Sequence, residues 1–442
     1  MPPKKKRVAS ETAGAGSSKK RAGKKPVHEE IESSSHLSEP APGSDEHEVS
    51  EENPQIDNEP DEGLQVIVLG SSGGPFEDRT SSFLVRSLST NWREKSMVAI
   101  DAGSLLAGIL HVLETSVKGG TGPFANLPMD EIQTNIGRAL HIFRNIIGSI
   151  CITHPHMDHI AGLIINTQAL ENTSSPKTVA CLQSVIDALK QYVFNGVLWP
   201  NLTDDQGAGL ITFHTLIEGG NPMLGSEDQI GYDELCEKLL IKCYKVTHGE
   251  CAQTYDSTER RWRRRSSVCP RHAHQQPDPA AAEEQPLTGL HERTESSAFF
   301  IRDRVSNKEI IIFGDIEPDS VSHGEWNKRV WKEAAASLSS GALQAIFIEC
   351  SYDDSVSDQY LYGHLCPRHL VAELRTLAGF VEHGDETLSD LVVFITHVKV
   401  KDNVGADDTP GVDILKQVRK HCSDAKLECR IELALRGVSY YF

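Results

Sequence analysis

The string Thr153-His-Pro-His-Met-Asp-His159 constrains this chain more than any other feature. Its three histidines and one carboxylate fall within six positions, directly after the apolar run Ser149-Ile-Cys-Ile152. A strand that ends there and passes into a helix near Asp158 brings several of these side chains to one point. Imidazole suits zinc and related transition metals, and a carboxylate adds negative charge. Six residues cannot complete two metal sites, so further ligands are expected from other strand ends.

Three positions repeat that placement. Val246-Thr-His248, Ile312-Phe-Gly-Asp315 and Phe394-Ile-Thr-His397 each put a His or Asp just beyond an apolar β run. A single histidine after a strand is ordinarily a surface or core residue; the clustered string is what raises these three. The candidate metal ligands are therefore His154, His156, Asp158, His159, His248, Asp315 and His397.

Composition sets the class around this site. The 442 residues allow two or three domains, or one large domain with tails, at about 100–200 residues each. The ten cysteines are scattered and form no CxxC pair, which excludes zinc ribbons and thioredoxin-like motifs. A disulfide scaffold does not fit this length, so the thiols are read as reduced and the compartment as intracellular. The basic start Met1–Arg7 lacks an apolar segment behind it and is not read as a secretory signal. No run reaches the ~18 apolar residues of a membrane span. A net charge of −19 gives no electrostatic reason to bind nucleic acid.

Residues 1–62 read as a disordered tail, basic between Lys4 and Lys25 and acidic from Glu29 to Glu62, with few large aliphatics. Residues 63–442 read as one α/β domain. Apolar runs predict strands at Leu64–Gly70, Ser82–Arg86, Met97–Ile100 and Ser149–Thr153. More strands are expected around Val179, Ile211, Lys242–Val246, Ala298–Ile301, Ile310–Phe313, Ala345–Ile348 and Val392–Ile395. Helical stretches are expected near Ser104–Ser116, Met129–Ile147, Leu182–Tyr192, Trp326–Leu338, Arg368–Leu377 and Val412–Arg419, besides the one starting near Asp158. Residues 251–296, with an arginine cluster and a Gln/Pro/Ala/Glu stretch, read as a flexible insertion.

The pattern resembles the metallo-β-lactamase superfamily and, within it, the class II cyclic nucleotide phosphodiesterases. The narrower resemblance rests on Leu69-Gly-Ser-Ser-Gly-Gly-Pro75, Val197-Leu-Trp-Pro-Asn-Leu202 and Phe313-Gly-Asp-Ile-Glu-Pro-Asp-Ser320. It continues in Leu361-Tyr-Gly-His-Leu-Cys-Pro367 and Ile395-Thr-His-Val-Lys399. Together these span about Leu64 to Phe442. Met157 stands where the family has Leu, and Thr167-Gln168 replaces the usual Ser followed by Ala or Pro. Both departures leave the ligand types intact.

The resemblance implies an αββα sandwich with two divalent metal ions, taken as zinc, along the sheet edge. His154, His156 and His248 would bind one ion, Asp158, His159 and His397 the other, and Asp315 would bridge them. It further implies hydrolysis of a 3′,5′-cyclic nucleotide, cyclic AMP or cyclic GMP, to the 5′-monophosphate by a hydroxide bridging the metals. Asp158 would also orient the nucleophile. His364 would contact the phosphate or protonate the leaving oxygen, or else serve as a turn histidine. Gly73 and Gly74 would offer backbone N–H groups to the anionic substrate, or only connect two elements.

Other readings stay open at this point. One is a different hydrolase of the same fold, acting on a thioester or a nucleic acid, although the acidic chain lacks a broad basic surface. Another is a scaffold without catalysis, which the seven intact ligand types disfavour. Pro3-Lys-Lys-Lys-Arg7 has the form of a nuclear import signal, which implies an import receptor and a nuclear as well as a cytoplasmic location. Arg264-Arg-Ser-Ser267-Val268 resembles a site of cyclic AMP-dependent protein kinase, which makes Ser267 a candidate regulatory residue.

Overall fold

Two seven-stranded sheets account for almost every strand among the described residues. The computed structural model describes residues 60–116, 122–171, 173–225, 229–249, 253–256, 261–264, 294–381, 388–400 and 411–442. All of these belong to one unit, Asn58–Phe442. The tail expected over residues 1–62 lies outside them except for its last three residues, and Ser267 also lies outside.

In chain order the strands of the N-terminal half are β1 (Leu64–Gly70), β2 (Ser82–Ser87), β3 (Met97–Ile100), β4 (Ile147–Cys151), β5 (Lys177–Cys181) and β6 (Ile211–Thr215). The C-terminal half continues with β7 (Asp233–Cys236), β8 (Leu239–His248), β9 (Gln253–Asp256), β10 (Arg261–Arg264), β11 (Thr294–Asp303) and β12 (Glu309–Phe313). It ends with β13 (Leu343–Glu349), β14 (Val392–Thr396), β15 (Arg430–Leu433) and β16 (Ser439–Tyr441). The first sheet has the order β16-β1-β2-β3-β4-β5-β6, so the last strand returns to the edge beside the first. The second runs β15-β14-β13-β12-β11-β8-β7.

Alternation along the central strands explains the layering. In β13, Ala345 and Phe347 join one buried cluster while Ile346 and Ile348 join another. Val392 and Phe394 of β14 divide from Val393 and Ile395 in the same way. Strands buried on both faces read as continuous apolar runs, as these do. The first cluster lies between the sheets: Phe347 stacks on Phe394 with centroids 4.7 Å apart and meets Phe83 of β2 edge-on at 5.9 Å. The second lies under the helices α6 (Trp326–Ser339), α7 (Pro367–Phe380) and α8 (Val412–Asp424), whose buried residues include Trp331, Leu374 and Val418.

On the far side, α1 (Leu105–Thr115) buries Leu105, Ile109 and Val112, a spacing that keeps one face of a helix inward. Beside it, α3 (Met157–Asn166) buries Ile160, Leu163 and Ile164. The result is the expected αββα sandwich. No described helix is long and apolar enough to cross a membrane.

Some elements differ from expectation. The helix predicted over Met129–Ile147 is only α2 (Asn135–His141), followed by a wider helical turn at Ile142–Ile146 that runs straight into β4. Thr134 caps α2, its Oγ1 accepting the Gly137 N–H at 3.1 Å, so the preceding residues stay outside the helix. The helix expected at Leu182–Tyr192 likewise splits into α4 (Gln183–Ala188) and a wider turn at Leu189–Val193. A short α5 (Asp319–Ser322) has no counterpart among the expected helices. Within the expected insertion, β9 and β10 pair antiparallel as a small sheet, and β11 rejoins the main sheet at Thr294.

Candidate active site

Topology brings strand ends together at one rim. β12, β13 and β14 are parallel neighbours, so the residues after them emerge side by side. β8 and β12 are both antiparallel to β11, so His248 at the end of β8 shares that rim. Across the sandwich, β3 and β4 are parallel and deliver Asp101 and the His154–His159 segment.

All seven candidate ligands meet there. The ligand atoms of His154, His156, His248 and Asp315 lie within 4.8 Å of one another, and so do those of Asp158, His159, Asp315 and His397. Asp315 belongs to both groups. Its Oδ2 is 3.7 Å from His154 Nε2 and 3.8 Å from His248 Nε2. Its Oδ1 is 3.3 Å from both His159 Nε2 and His397 Nε2. His154, His159, His248, Asp315 and His397 are buried, whereas the Asp158 side chain keeps 28 % of its exposure.

The opposite ring nitrogens are occupied, which fixes how each imidazole faces. His159 Nδ1–H donates to Asp101 Oδ2 at 2.7 Å, and His248 Nδ1–H donates to the Gly363 carbonyl at 2.8 Å. His154 Nδ1 lies 3.1 Å from Thr153 Oγ1, which itself donates to Asp101. His397 Nδ1 lies 3.0 Å from Ser351 Oγ. Each ring therefore turns Nε2 toward Asp315. Such outer partners orient metal-binding histidines and set their tautomer.

Charge at the centre is uneven. Burial holds His154 well below the usual histidine range, brings His156 down to about 4 and lowers His248. These three are neutral, the form that binds a metal. Burial opposes charge on Asp158 and Asp315, but neighbouring imidazoles outweigh it and keep both carboxyls well below their ordinary value. Burial also opposes charge on His159, yet Asp315 and Asp101 together hold its pKa well above the usual value.

The donor set fits a cation. His154 Nε2, His159 Nε2 and Asp315 Oδ1 are buried and make no hydrogen bond among the described residues. Leaving such an atom unpaired costs about 1–3 kcal/mol. The three atoms are explained by ions held in the two groups that share Asp315. Imidazole and carboxylate donors suit a divalent transition metal.

Two further residues resemble site components. His364 is buried, with its ring 5.0 Å from that of His397 and its Nδ1 3.7 Å from Asp315 Oδ2. Gly73 packs on His397 so closely that a Cβ there would overlap the ring at Cε1. Its N–H is already donated to the Val398 carbonyl at 3.3 Å, so that amide is not free to receive an anion as expected from the sequence. Gly74, at φ +87°, faces open space.

Sequence reasoning alone misses Asp101, Ser351 and Glu349. Asp101 and Glu349 follow or close apolar runs, as Asp315 does, so the same strand-end rule points to them. Asp101 and His397 both hold positive φ, at 54° each. Side chains rarely adopt that backbone, and it tends to cluster at functional sites.

The family model of class-II cAMP phosphodiesterases matches residues 64–437. This chain belongs to that family. A 3′,5′-cyclic-nucleotide phosphodiesterase of Schizosaccharomyces pombe is 28 % identical over 379 residues, covering 85 % of this chain and 92 % of the relative. The 3′,5′-cyclic-nucleotide phosphodiesterase 1 of Saccharomyces cerevisiae is 26 % identical, covering 85 % and 98 %. The crystal structure of unliganded yeast PDE1 superposes with a TM-score of 0.66 at 24 % identity, covering 86 % of this chain and all of that one. That likeness concerns the fold. Family membership makes the chain a hydrolase of cyclic nucleotides, and the family's fold implies divalent metals.

Proposed function

We propose that the chain hydrolyses 3′,5′-cyclic AMP to 5′-AMP, with cyclic GMP as a second substrate, at a centre of two zinc ions. One observation carries this reading: a single buried carboxylate, Asp315, is shared by two groups of metal-ligand type. His154, His156 and His248 would hold one ion, Asp158, His159 and His397 the other, with Asp315 between them. Five imidazoles favour zinc over harder cations. Such ions, when bound, neutralise phosphoryl charge and acidify nearby water.

The chain's own residues supply the rest. Asp158 is the most exposed carboxylate of the cluster, so its oxygen is available to orient the attacking water, whose proton passes to solvent. The water oxygen forms a bond to phosphorus, the P–O3′ bond breaks, and O3′ leaves with a proton. His364 is assigned to contact the phosphate or, when protonated on both ring nitrogens, to give that proton from Nε2. Gly74 is the backbone position left open to the anionic substrate.

Two regulatory readings accompany this one. Ser267 is a target of cyclic AMP-dependent protein kinase, so the product of high cyclic AMP would act on the enzyme that removes it. Residues 1–25 direct import into the nucleus, which adds a nuclear to a cytoplasmic pool. Treatment with that kinase should phosphorylate Ser267, and a reporter fused to residues 1–25 should concentrate in nuclei. An unmodified Ser267 or an evenly spread reporter would remove the respective reading.

The test of the main reading is hydrolysis of cyclic AMP and cyclic GMP by purified protein, before and after chelation and zinc add-back. Chelator-sensitive release of 5′-AMP is expected. Release of 3′-AMP, or turnover only of a thioester run alongside, would overturn the proposal. His364→Ala should lower kcat strongly with bound metal unchanged.

A further inference from the structure

We propose that Glu349 is a positioning residue of this centre: its buried carboxylate holds His364 directly and His397 through Ser351. The inference rests on the proposed hydrolysis and names a residue that acts through others rather than touching substrate.

Glu349 closes β13, between the strand that leads to Asp315 and the strand that leads to His397. It is 1 % exposed. A carboxylate in that position is costly unless donors surround it. No Lys or Arg pairs with it among the described residues, and four donors of other kinds do. Ile316 N–H donates to Oε1 at 2.9 Å. Leu365 N–H donates to Oε2 at 3.3 Å, and Ser351 Oγ–H to the same oxygen at 2.6 Å. His364 Nδ1–H lies 3.0 and 3.1 Å from the two oxygens.

Those donors come from the segment after β12, from beyond the end of β13, and from the loop that precedes α7. One carboxylate thus ties three pieces of the rim. A carboxylate accepts at about four lone-pair positions, so this one has none left for a cation. That argues against reading Glu349, His364 and His397 as a further metal group, although their ligand atoms also lie within 4.8 Å.

Two rings take their orientation from this arrangement. With Nδ1–H given to Glu349, His364 presents Nε2 as its remaining functional atom. Ser351, donating to Glu349, accepts from His397 Nδ1–H, and His397 Nε2 then faces Asp158 Oδ2 at 3.2 Å. The two rings stack at an interplanar angle of 27°. An amide in place of the carboxylate keeps the shape but offers one acceptor and one donor group. Its NH2 would confront donors on whichever side it pointed, and a ring would have to turn.

The experiment compares Glu349→Gln, Glu349→Asp, His364→Ala and the Glu349→Gln/His364→Ala double variant with the unmodified protein. Readouts are kcat and KM for cyclic AMP, metal per chain, and the low-field imidazole N–H proton resonances in NMR. A loss of about 10–100-fold in kcat is expected for Glu349→Gln, with KM and bound metal little changed. Glu349→Asp should recover part of it, and the double variant should lose less than the two single losses combined. A low-field resonance should vanish in both Glu349→Gln and His364→Ala.

Fully additive losses or an unchanged kcat in Glu349→Gln would overturn the inference. If the unmodified protein turned over no cyclic nucleotide, the functional proposal would fail separately. The resonance would then decide: its presence and loss in Glu349→Gln would uphold the positioning role, and its absence from the unmodified protein would end it.

Discussion

Asp101 and His159 are joined by a 2.7 Å hydrogen bond from the ring Nδ1–H to the carboxylate Oδ2. The other oxygen, Oδ1, accepts the Thr153 N–H at 2.8 Å. One side chain therefore fixes both the backbone where β4 turns into the histidine string and the direction in which His159 points. Asp101→Asn replaces one acceptor by a donor and leaves the His159 ring free to turn. Metal affinity is expected to fall about 10–100-fold. Chelator competition against the unmodified protein measures it; equal affinity would show that Asp101 does not orient His159.

Much of this centre is legible in the sequence, and for a definite reason. The string His154–His159 keeps four candidate ligands adjacent in sequence, and His248, Asp315 and His397 announce themselves by closing apolar runs. Asp101 and Glu349 stand at strand ends too, but a carboxylate after a strand is common. Only the pairing of β3 with β4 and of β13 with β14 shows what they face. β15 and β16 are four and three residues long and only partly buried, so their hydrophobic pattern is weak. The helix around α2 reads too long because Met129 and Ile132 continue an apolar spacing through residues that form turns. The amide of Gly73 illustrates a different limit: its hydrogen bond to Val398 joins positions more than 300 residues apart, which no local motif records.

Metal removal should also weaken the fold. Asp158 and Asp315 are ionised, and the orphaned atoms of His154 and His159 lose their partner when no ion is present. A ligand that binds only the folded state at a hundredfold excess over its Kd adds about 2.7 kcal/mol per site. Thermal unfolding with and without chelator should therefore separate by several degrees, and zinc add-back should close the gap. Identical curves at full metal occupancy would mean the centre lies outside the cooperative unit.

Two glycines should respond differently to alanine. At Gly73 a methyl group would overlap His397 Cε1, with the turn pinned by the bond to Val398. Gly73→Ala is expected to lower cyclic AMP turnover at least about tenfold, the scale of disturbing a metal ligand's surroundings. At Gly379, exposed near the end of α7, nothing lies within 4 Å of the added carbon. Gly379→Ala should stabilise the protein by about 0.5–1 kcal/mol and leave turnover unchanged. Kinetics and denaturant unfolding of both variants test the pair, and a Gly73→Ala enzyme with normal turnover would show that the His397 ring can move without cost.

Lys177 gives a prediction far from the centre. It is 5 % exposed, and its ammonium is bound only to the backbone carbonyls of Arg144 and Ile147 among the described residues, with the Phe143 ring 5.7 Å away. Burial without a carboxylate partner lowers its pKa from 10.5 to about 8. Between those two values the unfolded chain holds a proton that the folded chain has released. Stability must then rise with pH through that window, while below about 8 both states are charged and the burial penalty is felt in full. Lys177→Met removes the titration. The stability of the unmodified protein relative to this variant is expected to improve by about 2–3 kcal/mol between pH 7 and pH 10, at ~1.4 kcal/mol per pKa unit. Urea unfolding of both proteins at the two pH values measures the difference. A gap independent of pH would show that the Lys177 ammonium is as well solvated in the folded protein as in the unfolded chain.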